Sequence, residues 1–271
     1  MQAPCPFITC SKGNKLAVSD EAASYLSALT GTVGVATVAG VYRTGKSYIL
    51  NQLAGQHAGF GIGSTVQAHT KGIWLWGAPL ELGGAAAGQP QHMLLLDTEG
   101  LQSISQSEGH DAKIFCLAIL LSSFFIYNSE KAINNAAIDQ LSLVAQLTHK
   151  IRVSAEGGMP GGAAAGDAAA SLAEFFPEFV WLLRDFQLEL TSADGRPMTA
   201  DEYLEESLRP QPGASSAVLE QNATRAAITK LFLRRSCTAL PHPTLGTSLP
   251  PSAVKSLPPL ASLSAGFRAG V

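Results

Sequence analysis

Gly40-Val41-Tyr42-Arg43-Thr44-Gly45-Lys46-Ser47 matches the pattern G-x-x-x-x-G-K-[ST]. Residue types and spacing together define what such a segment can do. Glycines let the backbone curl so that several N–H groups point inward at phosphate oxygens. A helix beginning at the end of the segment adds its partial positive charge. Lys46 is placed to meet β- and γ-phosphates, and the Ser47 hydroxyl to ligate Mg²⁺.

A second constellation is Leu94-Leu95-Leu96-Asp97-Thr98-Glu99-Gly100. An apolar strand ending in Asp97 puts a carboxylate at a sheet's carboxyl edge, where it can support the hydration shell of Mg²⁺. Gly100 can offer its N–H to a γ-phosphate. By itself D-x-x-G is a common turn; after a phosphate loop it carries weight. A third candidate is Arg184-Asp185, at the end of another apolar run. A carboxylate can accept from guanine N1–H and its 2-amino group, a pairing that adenine cannot make, and bidentate pairs of this kind discriminate by about 1–3 kcal/mol. The spacing alone favours an exposed ion pair at a strand end over that role. The chain has no N-K-x-D, the usual guanine-reading motif of P-loop proteins.

These groups need a sheet and helices to hold them. Val33–Ala39 is a valine-rich run bounded by glycine and predicts a buried strand, followed by a helix over Tyr48–Leu53. Ile73–Trp76, Met93–Leu96 and Glu178–Phe186 predict further strands, with a Gly/Ala/Pro loop over 81–91. Most of Leu117–Tyr127 is expected to be a fully buried strand. Ala132–Arg152 predicts a helix of about five turns, with Ile133, Ala137, Ile138, Leu141 and Val144 near one face. Ala200–Leu208 and Ala217–Leu233 predict two more helices. Strands alternating with helices imply an α/β fold with a mainly parallel central sheet flanked by helices. Ala155–Ala170, twelve of whose sixteen residues are Ala or Gly, is expected to be a flexible insertion. The Pro-rich stretch 244–271 is expected to be a disordered tail.

Bulk properties narrow the function classes. At 271 residues, 46% hydrophobic and 14% charged, the chain can bury a core and is not of disordered composition. A formal net charge of −3 offers no broad basic field, so nucleic acid is not an expected partner. Cys5, Cys10, Cys116 and Cys237 form no CxxC pair, which disfavours zinc and a disulfide framework and points to a reducing compartment. No signal-peptide pattern and no apolar run of the ~20 residues a membrane helix needs is present, so a soluble cytoplasmic protein is expected.

Four segments together resemble one family: 40–48 (GVYRTGKSY), 63–74 (GSTVQAHTKGIW), 97–100 (DTEG) and 179–186 (FVWLLRDF) are similar to the GTPase domain of guanylate-binding proteins and, more distantly, to the atlastins, large GTPases of the dynamin superfamily. The similarity runs over roughly residues 7–243, so residues 1–243 are read as one guanylate-binding-protein-type domain interrupted at 155–170. The resemblance implies a Ras-like P-loop core with insertions, GTP and GDP as ligands, Mg²⁺, hydrolysis of GTP to GDP, and nucleotide-dependent homodimerisation. It makes Arg43 an arginine finger supplied in cis, where the residues alone equally allow a solvated loop arginine. It makes Thr70 the switch threonine that joins Mg²⁺ and the attacking water, and Arg184-Asp185 the guanine reader. Gly63 and Ser64 then lie along the nucleotide, with Gly40 to Tyr48 and Asp97 to Gly100.

Two departures bear on catalysis. The family has serine where this chain has Ala68, and Leu101 rather than glutamine follows Gly100, so both obvious water-positioning side chains are missing and slow turnover is expected. That leaves open a GTP-dependent dimerising scaffold with little hydrolysis. Leu182 replaces the family's threonine before L-R-D. The closing Ala269-Gly270-Val271 forms no C-a-a-X box, so the prenyl anchor of some relatives is not expected.

Overall fold

The structure is a computed structural model that describes residues 3–10, 15–41, 44–56, 59–61, 70–81, 92–100, 108–144, 146, 173–249, 263–265 and 269. Among these residues one sheet organises the molecule. Its strands are β1 (Cys5–Cys10), β2 (Leu16–Val18), β3 (Val33–Gly40), β4 (Ile73–Leu75), β5 (Leu80–Glu81), β6 (His92–Thr98), β7 (Phe124–Glu130), β8 (Glu178–Arg184) and β9 (Arg235–Ala239). The order is β2-β1-β4-β6-β3-β7-β8-β9, with β5 also paired to β6. The run β6-β3-β7-β8-β9 is parallel, and the strands beyond β6 are antiparallel.

Parallel pairing requires crossovers, and helices supply them. The described helices are α1 (Asp20–Ser27), α2 (Lys46–Leu53), α3 (Glu108–Leu121), α4 (Asn135–Gln140), α5 (Ala200–Ser207) and α6 (Ser216–Leu231). Local sequence starts several of them. Ser19, Asn134 and Ser215 cap α1, α4 and α6 through their side chains, and Thr199 with Glu202 forms a full capping box on α5.

Strand side chains alternate between faces. Phe125 and Tyr127 of β7, with Phe179, Trp181 and Leu183 of β8, pack into one layer with Phe115, Ile138, Leu204, Ile228 and Phe232. Ile126, Val180 and Leu182 face the opposite layer with Tyr48, Ile49, Leu50 and Trp76. Both faces are therefore apolar, which is why these strands read as continuous hydrophobic runs.

The expected α/β architecture is present, with differences in detail. The run 117–127, expected to be mostly strand, divides into the end of α3 and the start of β7. Ile114, Phe115, Ala118 and Ile119 are buried at helical spacing while Leu120 is exposed, but the flanking residues are apolar too and hide the period. The expected helix over 132–152 is α4 through Gln140, a turn at Leu141, and further helical residues at 142–144 and 146; beyond that it lies outside the described residues. The Ala/Gly insertion 155–170 also lies outside them. β1, β2, β5, α1 and β9 have no counterpart among the expected elements; Glu81, expected to open the 81–91 loop, instead ends β5 by pairing with His92, and 82–91 lie outside the described residues. In the Pro-rich stretch, Thr244, Leu263 and Ser264 are buried, and the Ser264 N–H donates to the Pro243 carbonyl at 2.7 Å, so at these positions it is packed rather than loose.

Candidate functional site

The parallel register brings the chemistry-bearing residues to one edge. Val38 pairs with Asp97, Gly40 with Asn128, and Glu130 with Arg184. All lie at strand carboxyl ends. β6 and β7 flank β3 on opposite sides: the chain passes from β3 to β6 on one side and then from β6 across to β7 on the other, so the strand order reverses at β3, the kind of switch point at which open α/β sheets bind ligands. The phosphate-loop sequence leaves β3 at that point and enters α2 through Gly45 and Lys46.

Gly40 is obligatory at the start of the loop. Its φ is +148°, and a Cβ would stand 2.1 Å from the Asn128 carbonyl oxygen. The Asn128 side chain, fully buried, secures the other end of the loop: its Nδ2 donates to the Thr44 carbonyl at 2.9 Å and to Thr44 Oγ1 at 2.7 Å. Thr44 Oγ1 in turn donates to the Val41 carbonyl at 2.8 Å. Lys46 is 6% exposed, with its Nζ 3.1 Å from the Val41 carbonyl oxygen. Burial lowers its pKa to about 8, against the pull of the Asp97 and Glu99 carboxylates, which favour the ammonium.

Asp97 is the hub of a compact oxygen cluster. Its Oδ2 accepts from Ser47 Oγ at 2.7 Å and from Thr70 Oγ1 at 3.0 Å. Burial pushes this carboxyl above the usual carboxylate range, opposed by the Lys46 ammonium and by these hydroxyls. Asp97 Oδ1 is buried and has no hydrogen-bond partner among the described residues. The predicted metal set Ser47, Thr70 and Asp97 is thus one contiguous group of hard oxygen donors with an open lone pair, a donor set that suits Mg²⁺. Thr98 turns its hydroxyl to the Val38 carbonyl at 2.9 Å, a bond that ties β6 to β3.

Glu99 is 2% exposed and binds the segment after Thr70. Its Oε2 accepts from the Gly72 N–H at 3.0 Å, and its own N–H donates to the Gly72 carbonyl at 2.8 Å.

Arg184 is 5% exposed, so it is not one half of an exposed ion pair. Its guanidinium carbon sits 5.9 Å from the centre of the buried Tyr48 ring, within reach of a cation–π contact. Its Nη1 lies 3.0 Å from where a Gly45 Cβ would be, which places the guanidinium against the phosphate loop. Burial pulls its pKa down, and the neighbouring Asp185 carboxylate opposes this. Asp185 follows β8 with φ 56°, a left-handed conformation that aspartate tolerates better than most side chains. Its Oδ1 is buried without a hydrogen-bond partner among the described residues.

The structure therefore brings together Gly40, Val41, Thr44, Gly45, Lys46, Ser47, Tyr48, Thr70, Asp97, Thr98, Glu99, Gly100, Arg184 and Asp185 along one edge of the sheet. Tyr42, Arg43, Gly63, Ser64, Ala68 and Leu101 lie outside the described residues. Asn128 carried no role in the sequence reading. Its signal was weak: it is the first of three polar residues, Asn128-Ser129-Glu130, that close the apolar β7 run, and only the register sets it opposite Gly40.

A family model, guanylate-binding protein N-terminal domain, matches residues 13–258. The chain is 45% identical over 245 residues to guanylate-binding protein 1 of Chlorocebus aethiops, covering 90% of this chain and 40% of that protein. It is 46% identical over 239 residues to human guanylate-binding protein 2, covering 88% of this chain and 38% of the relative. Mouse guanylate-binding protein 2 is 46% identical over 230 residues, 84% of this chain and 37% of its own. The chain thus spans about two fifths of the length of the curated relatives it matches.

Proposed function

Because the chain belongs to the guanylate-binding protein family, we propose that it binds GTP with Mg²⁺ and hydrolyses it to GDP, coupling the cycle to self-assembly. The observation that carries this reading is the convergence of Ser47 and Thr70 on Asp97 beside the buried Lys46, at the carboxyl end of β3. Phosphate-loop residues, switch threonine and metal-shell carboxylate meet there with an unpaired buried oxygen to spare.

In this reading the backbone of Gly40 to Ser47 cradles the phosphates, and the Lys46 ammonium meets their charge. Anionic phosphate replaces the solvation that Lys46 lacks, so binding restores the charged form that burial disfavours. Ser47, Thr70 and Asp97 would hold Mg²⁺, which when bound would supply charge neutralisation to the phosphates. Arg43 supplies a second cation where charge grows on the transferred phosphoryl group. Water is the nucleophile, and the β–γ bond breaks. Asp185, with one buried oxygen unpaired, accepts from guanine N1–H and the 2-amino group. Arg184, packed between Tyr48 and the loop, keeps that end of β8 close to the phosphates. A cytoplasmic setting and a nucleotide-dependent homodimer belong to the same proposal. No helix among the described residues is long and apolar enough to cross a membrane.

A second reading has a specific observation behind it. Ala68 offers no hydroxyl beside the switch and Leu101 no amide, so the chain also suits a GTP-dependent assembly module that turns over little nucleotide. One experiment decides between them. Calorimetry with GTP, GDP and ATP, with and without Mg²⁺, is followed by single-turnover cleavage at saturating protein. Tight Mg²⁺-dependent GTP binding with measurable single-turnover cleavage supports the enzyme. Tight binding and GTP-dependent dimerisation with cleavage no faster than buffer supports the assembly module. Equal affinity for ATP and GTP would falsify the role given to Asp185.

A further inference from the structure

We infer that His110 is a positioning residue for the reaction proposed above: it fixes the Glu99 carboxylate that clamps Gly72 and thereby holds Thr70 at Asp97. The inference rests on that proposed reaction, and it starts from three facts. His110 lies in the first turn of α3, is 1% exposed, and places Nε2 3.0 Å from Glu99 Oε2. The same Glu99 oxygen accepts the Gly72 N–H. Gly72 is two residues from Thr70, whose hydroxyl bonds Asp97.

The chemistry sets the direction of each bond. A carboxylate only accepts, so Nε2 carries the proton it shares with Glu99. The other ring nitrogen faces Cys10 Sγ at the end of β1, 3.7 Å away, so the ring is held from both sides. His110 and Ile114, one turn apart on α3, are both buried, which fixes the helix face that delivers the imidazole. Without His110, Glu99 would still be buried, but a rotatable side chain with one fewer bond would have to hold the Gly72 amide.

Gly72 is where such a hold matters. It has φ +72°, and a Cβ would stand 2.1 Å from the Ile8 carbonyl oxygen, so the chain can pass β1 only as glycine. Glycine is also the residue with the most backbone freedom to lose. Two bonds from Glu99 restrict it. The backbone bond, Glu99 N–H to Gly72 carbonyl, depends on strand geometry; the side-chain bond depends on His110. The second can be broken without removing any backbone bond of the sheet, which separates positioning from folding.

The test uses the full chain as wild type, His110→Ala and His110→Gln; glutamine can present an N–H donor at similar reach. Amide exchange of the nucleotide-free proteins is read at Gly72, with β7 amides as the reference. Single-turnover GTP cleavage and GDP affinity are measured alongside. A hydrogen bond to a charged group is worth a factor of about ten or more in an opening equilibrium. His110→Ala should therefore exchange Gly72 about tenfold faster with β7 unchanged. It should cleave GTP about tenfold slower and bind GDP within about twofold of wild type, because GDP binding does not call on Thr70. His110→Gln should recover most of both losses. Unchanged Gly72 exchange in His110→Ala overturns the clamp whatever the cleavage rate. Faster exchange with unchanged cleavage overturns the positioning role. Loss of GDP affinity and of β7 protection together, without rescue by glutamine, reduces His110 to packing and overturns it too. Failure of the proposed function appears in the wild type, which would then bind or cleave no GTP; failure of this inference appears only in the variants.

Discussion

The aromatic layer of the sheet and its carboxyl edge obey different rules. In the body of β8, Phe179 and Trp181 are fully buried among rings: Phe179 lies 4.7 Å from Phe232 between centroids, and Trp181 meets Tyr127 edge-on at 5.2 Å. Even the indole N–H is used, donating to Ser129 Oγ at 2.8 Å. At the carboxyl edge the chain buries Lys46, Asp97, Glu99 and Arg184 and leaves Asp97 Oδ1, Glu99 Oε1 and Asp185 Oδ1 without hydrogen bonds among the described residues. The first region is complete as it stands. The second is complete only with something added, since buried polar atoms are normally paired. Under the proposed function, the anionic, metal-bearing ligand is what would remove that electrostatic cost.

The sharpest way to break this contrast is in the aromatic layer. Phe179→Ala should cost about 3–5 kcal/mol of unfolding free energy, the range for a fully buried phenylalanine. The folded fraction should bind nucleotide as tightly as before. Denaturant titration and calorimetry on the same preparation check both halves. A loss of affinity in the folded fraction would mean that the two regions are not separable.

Lys46→Ala should do the reverse. Nucleotide binding should weaken by about 2–5 kcal/mol, the range for removing one partner of a buried charge pair. The nucleotide-free protein should be no less stable, because the variant deletes an ammonium that burial disfavours. Calorimetry measures the first effect and denaturant midpoint the second. A large fall in the stability of the nucleotide-free form would show that Lys46 is structural.

Asp185→Asn probes the other end of the edge. An amide presents one acceptor and opposes its NH₂ to a donor, so preference should move from guanine toward xanthine nucleotides by about 1–3 kcal/mol. Competition binding with GTP and XTP reads the ratio. A fixed ratio places base reading elsewhere.

The smallest effect is a pH slope. Lys46 has a folded pKa of about 8 against an ordinary value of 10.5. Between those values the unfolded chain holds a proton that the folded one has released, so this group's contribution makes stability rise with pH. Well below 8 the penalty is present in full. Between about pH 7.5 and 9 the gain is about 1 kcal/mol. It appears as the difference between wild type and Lys46→Ala, because Cys237, pushed up to about 12 by burial, works the opposite way in the wild type and the variant alike. Saturating GTP·Mg²⁺ should erase the slope, since bound phosphate holds the lysine charged.

Much of the site was legible in the sequence because its parts are local. Gly40 to Ser47 and Asp97 to Gly100 each combine a strand end, a turn and side chains within a few residues, so spacing alone carries their chemistry. Strands such as Val33–Gly40 and Glu178–Arg184 declared themselves by composition, since both faces are buried. The same uniform apolarity concealed α3, whose buried face shows only once its neighbours are in place. The three-residue edge strand β2 and its neighbour β1 have no long pattern to read, and the pairing of β1 with β2 and β4 comes from the sheet.

The sequence by itself determined which side chains have the types and spacing that suit phosphate, metal and base, because those are properties of residue type and of order along a few residues. Tertiary structure alone decided which of them share an atom. Ser47 and Thr70 meet on one oxygen of Asp97 from 50 and 27 residues away. Asn128 grips Thr44 across 84 residues, and Cys10 meets His110 across 100. Such contacts depend on strand order and register, and those follow from how the two apolar faces of the sheet are covered, which no short segment encodes.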